Sequence, residues 1–201
     1  MQRRLVGTLF AILGLMHWPD AVLAATLAGT VAAVSGSCTA DGRALRLNDP
    51  VEVSDTVIVP DGGKLTLRMP DTSMISIAPG SSMSVAGYNL SGAARNARLS
   101  LTRGLLRVVV APVGGPSTFE VSTPVGTASV RSAAADWLIE AQPGWAQVGV
   151  QAGTVDLTSA ATGRSVTIRA RWGGRQEAGR DPVPPRLWGQ VEYDQRKART
   201  E

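Results

Sequence analysis

Between Asp55 and Ala86 the chain falls into short runs in which apolar residues alternate with polar ones: DTVIV, KLTLRM, SMISIA and SMSVA, separated by PDGG, PDT and PGS. Alternation at period two places one set of side chains on one face of an extended strand, so Leu65, Leu67 and Met69, then Ile75 and Ile77, then Met83 and Val85, share a core. Turn residues at such even spacing divide the segment into strands too short for any other architecture. After a polar stretch, GYNLSGAARNA, expected to be a loop, the pattern resumes in RLSL, LLRVVV, TFEVS, ASVR, DWLIEA, AQVGVQ, TVDLTS and SVTIRA. No apolar stripe of helical period lasts three turns in this region. The reading is therefore all-β, with short strands stacked as a β-helix-like solenoid or packed as a small sandwich. Arg103-Gly104, Gly153 and Gly163 fall where a tight turn with positive φ is expected. The 22 glycines and 12 prolines, against two Tyr and two Phe, fit a turn-rich fold with an aliphatic core.

The ends differ from this body. Residues 1–24 carry Arg3 and Arg4, an apolar run from Leu5 to Met16, and Val22-Leu23-Ala24 before Ala25. That is the pattern of a secretory signal cleaved before Ala25, and the run is shorter than the roughly 20 apolar residues that span a bilayer. The expectation is a periplasmic or secreted bacterial protein with no stable membrane span after cleavage. Residues 25–169 form the β domain. From Ala170 the composition turns rich in Arg, Gly and Trp; Pro182, Pro184 and Pro185 preclude a central strand, and a short helix is expected between Leu187 and about Lys197, in a tail whose Trp172, Trp188 and Val191 dock on the body.

Charge and residue types restrict the chemistry. The segment from Ala25 to Ile168 holds ten basic and ten acidic residues, while Arg169 to Glu201 holds eight and five. A neutral body has no electrostatic footprint for nucleic acid. The single histidine, His17, lies in the leader, which removes histidine-based metal sites and Ser-His-Asp or Cys-His catalysis from the exported part. Neither a phosphate-binding loop nor a dinucleotide fingerprint occurs. Asp136 and Glu140 face the same side of one strand, but four residues of strand separate them by about 13 Å, beyond the roughly 5–9.5 Å used in glycoside hydrolysis. No catalytic, cofactor or metal residues are assigned, and the chain is read as non-enzymatic. The lone Cys38 is read as a buried thiol, the alternative being a bridge between chains.

One stretch stands out: TPVGTASVRSAAADWLIE, Thr123 to Glu140, sets Arg131 and Asp136 in an otherwise small and apolar run. Its order, Phe119-Glu120-Val121-Ser122-Thr123-Pro124, then Ala128-Ser129-Val130-Arg131, then Asp136-Trp137-Leu138, resembles the FecR-type periplasmic domain. So do Val34-Ser35-Gly36, the segment Leu47 to Val59, Gly63-Lys64-Leu65-Thr66-Leu67, Asp71 to Ser81, Leu101 to Val109 and Val148 to Val155. The likeness runs from about Ala28 to Ile168. It departs where the family has Arg-Gly-Thr and this chain has Arg131-Ser132-Ala133-Ala134-Ala135-Asp136, which predicts a widened turn bracketed by two charges. Family members that regulate sigma factors carry a cytoplasmic segment before a membrane anchor; only Met1 to Arg4 precede the apolar run here, so sigma regulation is set aside in this reading. The resemblance implies an exported β-rich binding or scaffold domain that contacts an envelope protein or small ligand. A glycan-binding module is the alternative, with Trp145 and Tyr88 as stacking platforms. The expected contact residues are Arg131, Asp136, Trp137, Trp145 and Tyr88.

Overall fold

The structure is a computed structural model and describes residues 26–201. The expected leader, with His17, lies outside the described residues. The first half forms β1 (Leu27–Ser35), β2 (Thr39–Ala40), β3 (Arg43–Ala44), β4 (Pro50–Glu52), β5 (Thr56–Val59), β6 (Lys64–Arg68), β7 (Met74–Ile77) and β8 (Ser81–Ser91). A long β9 (Ala94–Val110) leads into β10 (Ser117–Thr123), β11 (Gly126–Val130), β12 (Ala135–Gln142), β13 (Trp145–Ala152), β14 (Thr154–Ser159), β15 (Ser165–Arg169), β16 (Trp172–Glu177) and β17 (Arg186–Leu187). One helix, α1 (Gln190–Lys197), follows.

The strands pair in two layers that share β9. In sheet A, β4 and β6 flank β1, and the order continues through β7, the second half of β9, β12, β13, β16 and β17. In sheet B the order is β3, β2, β5, β8, the first half of β9, β10, β11, β14 and β15. The fold is all-β with a short helical tail. Among the described residues only β9 and β10 pair in parallel; the other ladders are antiparallel, the direction that strands joined by tight turns adopt. The layers are thus those of a sandwich rather than the rungs of a solenoid.

Period-two alternation places the inner faces as the sequence predicts. Val57, Leu65, Leu67, Ile75, Ile77, Met83 and Val85 are buried in one cluster with Leu99, Leu101, Phe119, Val121, Trp137, Ile139, Val148, Val155 and Leu157. Cys38 is in the same core, where its thiol donates to the Ser35 carbonyl at 3.3 Å and burial raises its pKa.

Two local expectations are corrected. GYNLSGAARNA is not a loop: β8 and β9 continue through it as a hairpin paired as far as Ser91 and Ala94. Nor does Arg103-Gly104 form a turn, because β9 runs on without a break. Gly104 has the expected positive φ, 105°, but uses it to kink the strand from one sheet into the other. A Cβ there would lie 2.2 Å from the Ser81 hydroxyl, which accepts from the Leu105 amide at 3.1 Å. Glycine is required at this corner on both counts. Downstream, the stretch after Ala170 adds a strand to the body: β16 pairs with β13 from Trp145 to Gly149.

Candidate functional site

The conspicuous charges of the Thr123–Glu140 stretch end up on opposite sides of the molecule. β11 belongs to sheet B and β12 to sheet A, so residues 131–134 cross between the layers rather than closing a turn. Ser132 fastens the crossing, donating to the Ala134 carbonyl at 2.6 Å and accepting from the Thr154 amide at 3.1 Å. Arg131 projects from sheet B and donates through Nε to Asp156 Oδ2 at 2.7 Å; its side chain is 63% exposed. Asp136 projects from sheet A and accepts from Arg107 Nε at 3.1 Å, Arg107 Nη2 at 2.9 Å and the Tyr193 hydroxyl at 2.9 Å. The two charges do not meet, and each has a different cation–anion partner.

Burial corrects two of the aromatic candidates, Trp137 and Tyr88. Trp137 is fully buried at the centre of the core, so neither of its faces is available to a ligand. Tyr88 is also buried; its hydroxyl accepts from the Asp71 amide at 3.1 Å, and desolvation, reinforced by the Asp71 carboxylate, pushes its pKa up to about 12. Trp145 opens β13 half-buried, with the Arg175 guanidinium 4.4 Å from its ring centroid. The arginine covers one face of that ring, so a sugar could not stack from that side.

The outer face of sheet B is uncovered among the described residues. Cross-strand registers align Thr56, Ser84, Ser100, Ser122, Thr127, Thr158 and Ser165 in one row across seven strands. Neighbouring strands lie about 4.8 Å apart, so the hydroxyls form a regular ladder. The next row carries Arg98, Glu120, Ser129, Asp156 and Thr167 in register. Ser129 donates to Glu120 at 3.2 Å and Thr167 to Asp156 at 2.7 Å, so the carboxylates are held in place. Fixed hydroxyls and paired charges without an aromatic platform suit the polar surface of a protein partner.

The outer face of sheet A is covered instead by residues 186–201. Trp188 lies on Gly149 and Gly173, which are cross-strand neighbours; a Cβ on either would come within 2.0 Å of the indole. Arg196 caps the exposed side of that ring at 4.6 Å. Trp188 and Tyr193 complete a small apolar cluster with Ala78, Leu105 and Leu138. Tyr193 donates to Asp136, and burial, with the nearby carboxylate, raises its pKa well above the usual tyrosine range. Glu140 receives Arg199 Nη1 at 2.8 Å and Arg196 Nε at 3.7 Å. The two same-face carboxylates of β12 are therefore anchors for the tail. Of the expected docking residues Trp188 is buried, while Trp172 and Val191 are exposed.

One cluster is absent from the sequence reading. Arg95 and Asp71 form a fully buried ion pair, with Arg95 Nη1 also donating to Ser73 Oγ at 3.2 Å and the Ala111 carbonyl at 2.8 Å, and Nη2 to Ser117 Oγ at 2.7 Å. Asp71 accepts from the Ser73 amide and hydroxyl at 3.1 and 2.8 Å, and Arg95 lies 5.5 Å from the Phe119 ring centroid. Extending the parity of Ala97, Leu99 and Leu101 back by one step points Arg95 inward; assigning its segment to a loop hid that signal. No group of three or more His, Cys, Asp or Glu residues is placed to hold a metal among the described residues.

Residues 55–156, just over half of the chain, match the family described as FecR protein. The chain belongs to the FecR family. Two crystal structures of a provisionally assigned anti-sigma factor from Parabacteroides distasonis share the fold, each with a TM-score of 0.56 at 12% and 13% identity. The alignment covers 69% of this chain and 62% of theirs, so it spans less than two thirds of those structures' length. A comparison with curated proteins finds no match. Within the FecR match fall both halves of the Arg131–Asp156 pair, Asp136, and the Asp71–Arg95 clasp. The covering tail lies beyond it.

Proposed function

We propose that this FecR domain is a non-catalytic regulatory module that recognises an envelope protein through the outer face of sheet B. The observation that carries the reading is the hydroxyl row running beside Arg98, Glu120, Arg131 and Asp156, a broad polar face that no other described element covers. Family membership and the anti-sigma assignment of the structural neighbours support a partner engaged in signalling. The leader pattern supports a location outside the cytoplasmic membrane, and among the described residues no helix is long and apolar enough to cross a bilayer. The two outer faces differ in kind: the apolar positions of sheet A are filled from within the chain, whereas sheet B offers oriented polar groups, which fix register and specificity more than raw affinity.

The test is site-specific photo-crosslinking in cells, with the crosslinker placed in turn at positions 98, 122 and 131 on sheet B and at position 191 on the tail. One envelope protein captured from the three sheet B positions and not from position 191, and lost on Arg98→Glu/Arg131→Glu, supports the reading. Equal capture from all four positions, or binding of cell-wall glycan fragments to the purified protein with no protein partner, overturns it.

A further inference from the structure

The covering tail is a ligand for its own domain. Residues 186–201 reach the body through discrete contacts: the Trp188 amide donates to the Arg171 carbonyl at 2.9 Å, β17 contributes a two-residue ladder, Tyr193 donates to Asp136, Arg196 and Arg199 pair with Glu140 and Glu201 with Arg107, and Trp188, Tyr193 and Thr200 are buried. The receiving face is shaped for them in advance. Gly149 and Gly173 remove two side chains beneath one indole, and neither has a positive φ that would otherwise account for glycine. Asp136 and Glu140 sit at the spacing that accepts Tyr193 and Arg199. The recognition pattern is thus Trp, an aromatic hydroxyl five residues on, and arginines three and six residues beyond that.

Two further observations identify who else can supply this pattern. The segment joining β16 to β17 contains Pro182, Pro184 and Pro185; Pro182 is buried, and the segment's last backbone tie to the body is the Val183 amide, which donates to the Arg175 carbonyl at 2.9 Å. Backbone pairing thus ends at Val183 and resumes at Arg186, so Pro184 and Pro185 form the short pivot between the body and the covering tail. Around that pivot lie four exposed large apolar side chains, Trp172, Val183, Leu187 and Val191, with Trp172 and Leu187 directly opposite one another. A second body brought up to the pivot would cover them. Exchange of a terminal element about a short hinge reproduces every intramolecular contact in the partner and is a low-cost route to dimers.

We propose that the outer face of sheet A is a receptor site for residues 186–201 of a second copy of this chain, exchanged reciprocally about the proline hinge. This goes beyond the sheet B reading and stands without it. In the exchanged dimer each slot is completed by the other copy's Trp188 and Tyr193, and sheet B stays open on both copies.

Complementation between two full-length variants tests it. Gly173→Val fills the slot and leaves the tail intact; Trp188→Ala/Tyr193→Ala strips the tail and leaves the slot intact. Native mass spectrometry is expected to show each variant alone as a monomer and an equimolar mixture as a one-to-one heterodimer, which is lost when Asp136→Ala is added to the slot-bearing chain. Monomers only in the mixture, with both variants folded by circular dichroism, overturn the proposal, as does a dimer of the Trp188→Ala/Tyr193→Ala variant alone. If either variant fails to fold, labelled and unlabelled wild-type protein are incubated together at rising concentration. Mixed dimers abolished by Asp136→Ala support the proposal, and monomers throughout overturn it.

Discussion

Removing the Asp71 carboxylate while leaving the Arg95 guanidinium strands a buried cation. Both side chains are fully inaccessible, so water cannot replace the lost partner, and the remaining acceptors, Ser73 Oγ, the Ala111 carbonyl and Ser117 Oγ, are all neutral. Arg95 Nε already lacks a partner among the described residues. Breaking such a pair from one side costs about 3–5 kcal/mol, whereas replacing both partners with apolar groups of similar volume is often nearly neutral. Asp71→Ala is therefore expected to lower stability by about 3–5 kcal/mol, and Asp71→Ala/Arg95→Met by distinctly less than Asp71→Ala alone. Total stability of a domain is about 5–15 kcal/mol, so the single variant sits near the edge of folding. At roughly 2–4 °C per kcal/mol for a chain of this size, the midpoint falls by about 6–20 °C. Urea unfolding followed by far-ultraviolet circular dichroism on all members of the double-mutant cycle measures the coupling. A loss below about 1 kcal/mol for Asp71→Ala, or a double variant no more stable than the single, would refute the view that an unpaired buried charge dominates.

Other expectations concern single features. Tyr88 and Tyr193 hold their protons in the folded protein above the ordinary tyrosine value of about 10, through burial and nearby carboxylates. Their contribution is fully present below that pH and is lost as pH rises toward and past 12, so a pH series of unfolding midpoints should fall from about 10 upward, less steeply in Tyr193→Phe. Gly104→Ala meets both a positive φ and the Ser81 side chain, and should lose at least about 2 kcal/mol by chemical denaturation. Arg131→Ala removes an exposed pair with Asp156 and should change stability by under about 1 kcal/mol while weakening capture of the sheet B partner in the crosslinking assay. Native protein should react with a thiol reagent at Cys38 only on the timescale of unfolding, since the sulfur is buried and its pKa raised; rapid labelling would contradict that placement.

Much of the layering was legible because alternation is a local property. Leu65, Leu67, Ile75, Ile77, Met83 and Val85 point inward for no reason beyond their parity, and they do so in the structure. What the sequence concealed is where strands change layer. The run from Arg131 to Asp136 reads as a turn because it lacks apolar periodicity, yet its residues carry the chain between sheets, and that crossing decides that the two charges face opposite ways. Arg103-Gly104 misleads in the opposite sense: a glycine with positive φ closes turns elsewhere but here redirects a strand that keeps its ladder. Charged residues were the hardest to place, since Arg95 and Arg131 look alike in sequence and one is sealed in the core while the other is largely solvated. Their fates depend on partners distant in the chain, Asp71 and Asp156, which no local pattern brings together. The slot for Trp188 was hidden for the same reason, because Gly149 and Gly173 become neighbours only once β13 and β16 pair.

The length of β9 bears on the order in which this molecule can be completed. It pairs with β7 and β8, which precede it, and with β10 and β12, which follow, so a single strand is the common seam of both layers and of both halves of the chain. A polypeptide emerging N-terminus first offers β1 to β9 as a unit in which β9 itself is bare along one side on either side of the Gly104 kink, until residues 117–142 arrive to pair with it. Bare edges recruit strands from other molecules. The interval between the synthesis of β9 and that of β12 is thus the period in which this fold is most exposed to mispairing, and a slow or interrupted chain would be expected to aggregate through that seam.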